Sequence, residues 1–157
     1  MSEIGCPPLL SAALDGMTVA DVMHEGVVSC APDASLRTVA RLLASYRVHA
    51  VVVFPRHHAD AGHVSRWKVI SVLDLVKAAA KHDVDEGTAA DAAGSTFRCI
   101  QPDEPLATAV LTMLAQRISH LVVVDRPHGR PIGVVSMLDV ARALAGVAPP
   151  AEALSEA

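Results

Sequence analysis

Residues 18–54 read TVADVMHEGVVSCAPDASLRTVARLLASYRVHAVVVF, and residues 88–124 read TAADAAGSTFRCIQPDEPLATAVLTMLAQRISHLVVV. The second stretch lies on the first at a constant offset of 70 without a gap. Thr18 meets Thr88, Asp21 meets Asp91, Pro32 meets Pro102, Asp33 meets Asp103, Leu36 meets Leu106 and Arg47 meets Arg117. Beyond a loop that is longer in the first copy the offset falls to 65, and WKVISVLDLVKAAA (67–80) lies on IGVVSMLDVARALA (132–145), with Ser71, Leu73 and Asp74 on Ser136, Leu138 and Asp139. One unit is written twice, and the fold follows from what that unit is and why it needs a second copy.

Each copy reads as short strand, helix, strand, strand, helix. The long helix is expected to start at Pro32-Asp33 and Pro102-Asp103, where an Asp side chain accepts from free backbone N–H groups and suits the positive helix end. Leu36, Val39, Leu42 and Leu43 recur at helical spacing and face a core. AVVVF and LVVVD form one strand, KVIS and IGVVS its neighbour, and a second helix begins at Ser71 or Ser136. One copy is too small to bury its own sheet, so an α/β fold of two paired units is expected. The divisions are an N-terminal extension (1–17), a first unit (18–81), a linker (82–87), a second unit (88–146) and a C-terminal tail (147–157) rich in Pro, Ala and Glu.

The 157 residues are 52% hydrophobic, with mean hydropathy +0.38. The apolar runs are nonetheless short and Val-rich. They suit strands buried on both faces, and none approaches the ~20 residues that span a bilayer. MSEIGCPPLL lacks a basic stretch followed by an apolar core, so no export signal is read and a cytoplasmic location is expected. Cys6, Cys30 and Cys99 are odd in number and share no CxxC spacing, which argues against a disulfide framework. A net charge of −4, a pI near 6.0 and 3% aromatic residues exclude a phosphate-backbone binder or a base-stacking surface. There is no Gly-rich phosphate loop, GxSxG elbow or HExxH, so no enzyme is read.

The repeated Ser-x-x-Asp is the chemically loaded motif. By itself it is close to a capping box, Ser71 with Asp74 and Ser136 with Asp139, although Asp is a poorer partner there than Glu or Gln. The same carboxylates can accept from two vicinal hydroxyls at once. Three residues on stand Lys77 and Arg142, each placed either for an i,i+3 ion pair with the Asp or for an anion beside the helix N-terminus. His120 stands at a strand entry and Arg117 at a helix end. A different class of function comes from Cys30, His49, Cys99 and His120, which fall near strand entries, and from His57, His58, Asp60 and His63 on the long loop. Thiolate and imidazole ligands suit zinc or redox sensing, but the spacing matches no zinc signature.

TVADVM opening the first copy, PD-x-x-L at each long helix, and the strand ending in Ser-x-x-Asp together resemble the paired cystathionine-beta-synthase-type domain, the CBS pair or Bateman module, over residues 18–146. The resemblance implies two tandem β-α-β-β-α units packed through their sheets about a pseudo-twofold axis, with clefts for AMP, ADP, ATP or S-adenosylmethionine. It implies no catalysis and no required cofactor. The Asp of the motif then holds ribose hydroxyls and Ser lines the same pocket, with Arg142, Lys77, His120 and Arg117 on the phosphate side and Gly133 and Val135 on the strand before the motif. The small residue Gly133 favours the site at Asp139, whereas its counterpart Lys68, preceded by Trp67, disfavours that at Asp74. Also implied are a homodimer built on the small-residue helices 75–80 and 140–146 and an effector protein that the sequence does not identify. The alternatives are metal or redox sensing and a ligand-free dimerisation scaffold.

Overall fold

The computed structural model describes residues 12–55, 67–94, 97–126 and 128–148. The first repeat runs α1 (Val19–Val22), β1 (His24–Glu25), β2 (Ser29–Cys30), α2 (Leu36–Tyr46), β3 (Ala50–Val53), β4 (Lys68–Ser71) and α3 (Val72–Ala79). The second runs α4 (Ala89–Ala92), β5 (Cys99–Ile100), α5 (Leu106–Gln116), β6 (His120–Val124), β7 (Pro131–Ser136) and α6 (Met137–Leu144). In each, a strand, the long helix and the next strand form a parallel pair, as a helical crossover requires. An antiparallel strand then leads straight into the last helix.

The residues sort into two compact units whose boundaries differ from those of the repeats. Residues 12–25 pack with 98–148, and Gly26–Phe97 form the other unit. The opening segment of each repeat therefore belongs to the unit built by the other. In the first unit β1 adds to the sheet β1-β7-β6-β5, pairing His24 with Val134 and Glu25 with Gly133. In the second unit the sheet is β2-β3-β4, and the residue equivalent to His24, Gly94, makes one bridge to Val69, the equivalent of Val134.

Backbone groups of the Pro-Asp turns hold these exchanged segments. The Glu104 and Pro102 carbonyls accept from Val19 and Ala20 N–H, each at 2.9 Å, and the Ala34 and Pro32 carbonyls accept from Ala89 (2.7 Å) and Ala90 (2.9 Å). This corrects the expected helix start. The Pro-Asp pairs lie in turns, and the long helices begin three residues later at Leu36 and Leu106, with Ser35 and Pro105 at the cap positions. Ser35 Oγ accepts from Thr38 N–H, so a side-chain cap exists in the first repeat, one residue before the helix rather than at Asp33.

The predicted stripe builds one core, and its counterpart in the second repeat builds the other. Leu36, Val39 and Leu43 pack on Val51, Val53 and Ile70 in one unit; Leu106, Ala109 and Met113 pack on Leu121, Val123 and Val135 in the other. Val19 and Val22 of α1 join the latter core, and Ala89 and Ala92 of α4 the former, which is why the exchanged segments stay docked. Burial of each larger aliphatic side chain contributes about 1.5–3 kcal/mol. No helix among the described residues is long and apolar enough to cross a membrane.

Candidate functional site

Both Ser-x-x-Asp motifs sit where a core strand turns into a helix. β4 ends at Ser71 and β7 at Ser136, and each Ser is the N-cap of the helix that follows. Ser71 Oγ accepts from Asp74 N–H at 3.1 Å and Ser136 Oγ from Asp139 N–H at 3.3 Å. Reciprocally, one carboxylate oxygen of each Asp accepts from the Ser backbone N–H and from the Ser hydroxyl. The distances are 2.9 and 2.8 Å at Asp74 and 2.8 and 2.9 Å at Asp139. Asp therefore closes the capping box as Glu or Gln would. Thr88 and Asp91 repeat the arrangement at α4. The shorter Asp side chain positions one oxygen firmly and leaves the role of the other to its surroundings.

Those surroundings differ. Asp139 is 2% exposed and Ser136 6%. The second oxygen of Asp139 lies 2.8 Å from His24 Nε2 and accepts from Arg142 Nη1 at 3.4 Å. A carboxylate offers about four lone-pair positions; three of them accept from Ser136 N–H, the Ser136 hydroxyl and Arg142, and the His24 imidazole lies against the second oxygen. Asp74 is half-buried, and among the described residues nothing donates to its second oxygen. Because no buried side-chain oxygen or nitrogen among them lacks a partner, that oxygen reaches solvent.

The remaining expected residues divide clearly. Arg142 makes the i,i+3 ion pair with Asp139, while Lys77 is exposed and makes no such pair with Asp74 among the described residues. Arg117 is exposed and ends α5 in the left-handed conformation (φ 53°, ψ 44°), its N–H turned back to the carbonyls of Met113 and Leu114. Arg47 ends α2 in the same way. His120 opens β6 opposite Ser136 in the register. Val135 is fully buried in the core, so its side chain is packing. Gly133 lies opposite Glu25, and a Cβ there would collide with the His24 carbonyl oxygen. Its smallness thus serves the close approach of β1. His24 itself was not singled out from the sequence. The repeat alignment sets it against Gly94, which is the one signal that marks it.

Cys30 and His49 belong to one unit, Cys99 and His120 to the other, and among the described residues no three His, Cys, Asp or Glu side chains form a group that could hold a metal ion. His57, His58, Asp60 and His63, like Cys6, lie outside the described residues. Burial pushes the Cys30 thiol up to about 11 and moves that of Cys99 upward too. Since the thiolate is the reactive form, Cys30 is expected to be alkylated by iodoacetamide at pH 8 about 100-fold more slowly than a free cysteine. Mass spectrometry after timed quenching measures this, and a rate near that of the free amino acid would restore the redox reading.

The sequence profile of the CBS domain matches residues 19–81 and again 91–146. The chain belongs to the CBS domain family. Among curated proteins none is significantly similar to it in sequence. Of solved structures, the CBS domain pair of protein MJ0100, in complex with 5-methylthioadenosine and S-adenosyl-L-methionine, superposes with TM-score 0.68 at 21% identity, covering 83% of this chain and 97% of that one. The CBS domain protein PAE2072 from Pyrobaculum aerophilum, complexed with AMP, gives 0.65 at 29% identity, covering 78% and 89%. The CBS domain of the bacterial CNNM/CorC family Mg2+ transporter, in complex with ATP, gives 0.68 at 18% identity, covering 88% and 94%. The tandem CBS architecture accounts for the doubled sequence, and the two Ser-x-x-Asp junctions are the equivalent points of its two repeats.

Proposed function

We propose that this CBS pair is a non-catalytic regulatory module that binds an adenosyl compound, AMP, ADP, ATP or S-adenosylmethionine, and conveys occupancy to an effector protein as a change of shape. The observation that carries the reading is the Ser-x-x-Asp carboxylate itself. Its capping box fixes one oxygen at a strand–helix junction, and at Asp74 no donor among the described residues meets the other, which leaves it able to accept from the vicinal hydroxyls of a ribose. Hydrogen bonds to a charged acceptor are worth about 1.5–3 kcal/mol each. Lys77 and Arg142 stand one helical turn beyond the Asp, in the last turn of their helices, each a cation that can meet an anionic phosphate or carboxylate. The ligands of the three CBS structures above share the adenosine moiety, which is the part such a carboxylate would read.

Assembly as a homodimer is part of the proposal. Val72, Leu73 and Val76 on α3, and Met137, Leu138 and Leu144 on α6, are large apolar side chains left exposed on the helices that follow the motifs. Covering them with a second copy would remove that area from water.

Isothermal titration of untagged, metal-free protein with AMP, ATP and S-adenosylmethionine tests the reading. At least one of the three is expected to bind saturably, and the double variant Asp74→Asn/Asp139→Asn is expected to weaken it by about 100-fold or more through loss of two charge-assisted hydrogen bonds. Absence of binding by all three, or equal binding by the double variant, overturns it.

A further inference from the structure

We infer that the two ribose-reading carboxylates are unequal: His24 holds the one at Asp139 shut, and the chain takes a single adenosyl ligand, at Asp74. The inference rests on the adenosyl reading above. It reverses the preference that Gly133 and Lys68 suggest when read as sequence.

Three observations meet on it. First, the Asp139 carboxylate is covered from within: Ser136 N–H and hydroxyl donate to one oxygen, Arg142 donates to the other, and the His24 imidazole lies against that second oxygen with Nε2 at 2.8 Å. A ribose diol arriving there must displace His24. Second, the space beside Asp139, bounded by Val22, Arg142, Ala143 and Val147, is ≈ 10 Å³, the room of about one water molecule. Third, the equivalent position in the other unit lacks the obstructing side chain. Gly94 bridges Val69 as His24 pairs with Val134, but it has no side chain, and a Cβ built on it would point at the Asp74 carboxylate, 3.2 Å from one oxygen and 3.3 Å from the other. One repeat thus carries an imidazole where the other carries a hydrogen atom, at the same backbone position above the same carboxylate. Gly133 belongs to the closed state, since its missing Cβ lets the backbone of β1 lie close enough for His24 to reach across.

The reciprocal exchange of these two residues is the test. AMP, ATP and S-adenosylmethionine are titrated into the untagged full chain, wild type and variants. For the compound that binds, wild type is expected to take one equivalent per chain. Asp74→Asn and Gly94→His should each weaken binding by about 100-fold. Asp139→Asn should leave Kd within about twofold, the two carboxylates acting independently. His24→Gly should add a second equivalent, which disappears again in His24→Gly/Asp139→Asn.

Two equivalents in wild type, loss of binding in Asp139→Asn with retention in Asp74→Asn, or an unchanged stoichiometry in a folded His24→Gly variant each overturn the inference. Should His24→Gly fail to fold, Gly94→His decides, because it removes nothing from the core: retained binding there overturns the inference. Binding by His24→Gly alone, with wild type silent, overturns the assignment to Asp74. If wild type binds none of the three, the adenosyl reading falls. Closure at Asp139 is then judged by thermal unfolding. The Tm losses of His24→Ala and Asp139→Asn should fail to add by about 2–4 °C in the double variant, and strict additivity overturns it.

Discussion

Asp139→Ala is expected to lower the free energy of unfolding by about 3 kcal/mol, and Asp74→Ala by about 1 kcal/mol. The two residues start equivalent helices and close equivalent capping boxes, so loss of the cap alone predicts the same modest cost at both, about 1 kcal/mol. The difference comes from burial. Asp139 is 2% exposed. Its removal leaves Ser136 N–H and hydroxyl unpaired beneath the surface and takes away the acceptor for Arg142 and the carboxylate against which His24 lies. Removing one member of a buried pair costs about 3–5 kcal/mol when the remaining charge has no access to water. His24 and Arg142 are partly exposed and recover some hydration, which places the estimate at the low end. Urea unfolding followed by far-UV circular dichroism measures both variants. With a slope of about 1.5–2 kcal/mol/M, the Asp139 variant should lose roughly 1.5–2 M in midpoint. Trp67, the single tryptophan, belongs to the other unit, so its fluorescence reports whether the loss stays in the unit that carries Asp139. Equal, small losses at the two positions would show that the contact with His24 adds no stability.

Much of this architecture is legible before any coordinates, because a repeated sequence states its own symmetry. The succession of elements, the stripe Leu36, Val39 and Leu43, the all-buried β3 strand and the Ser at the start of each closing helix follow from period, composition and capping chemistry. Those are local properties. What the sequence conceals is non-local. The Pro-Asp turns look like helix starts because Asp is a good cap. Their carbonyls are instead taken by the opening segment of the other repeat, and the helix begins only at Leu36 or Leu106. An internal alignment shows that the copies match but not which copy's first segment docks on which sheet. The same blindness governs the site. Gly133 looks like room for a ligand, and Lys68 like an obstruction. With β1 returned to β7, the glycine makes room for backbone, and the side chain that decides access, His24, comes from a segment more than a hundred residues away.

Gly133→Ala is expected to cost about 3 kcal/mol, a large effect for adding one methyl group to a strand. The added Cβ would collide with the carbonyl oxygen of His24 and lie 3.4 Å from Met23 Sδ. The methionine sulfur is the end of a flexible side chain and can give way, but the carbonyl is backbone, held in place by the pairing of His24 with Val134 and Glu25 with Gly133. Relief therefore requires β1 to move away from β7. Overpacking of this kind costs about 1–3 kcal/mol. Here the displaced strand also carries the imidazole off Asp139, forfeiting the close contact between His24 and that buried carboxylate. The two contributions overlap, since moving the strand relieves the clash that drives it, and their combined effect is smaller than their sum. Lys68→Ala at the equivalent position is the control: Lys68 is exposed opposite Val53, and its replacement should stay within about 0.5 kcal/mol. Amide hydrogen exchange separates a local release of β1 from general destabilisation. Faster exchange confined to β1 and β7 is expected, with the protection of β3 and β4 unchanged. If Gly133→Ala behaves like the Lys68 control, β1 yields without cost, and the closeness of its backbone to β7 is not what holds His24 over the carboxylate.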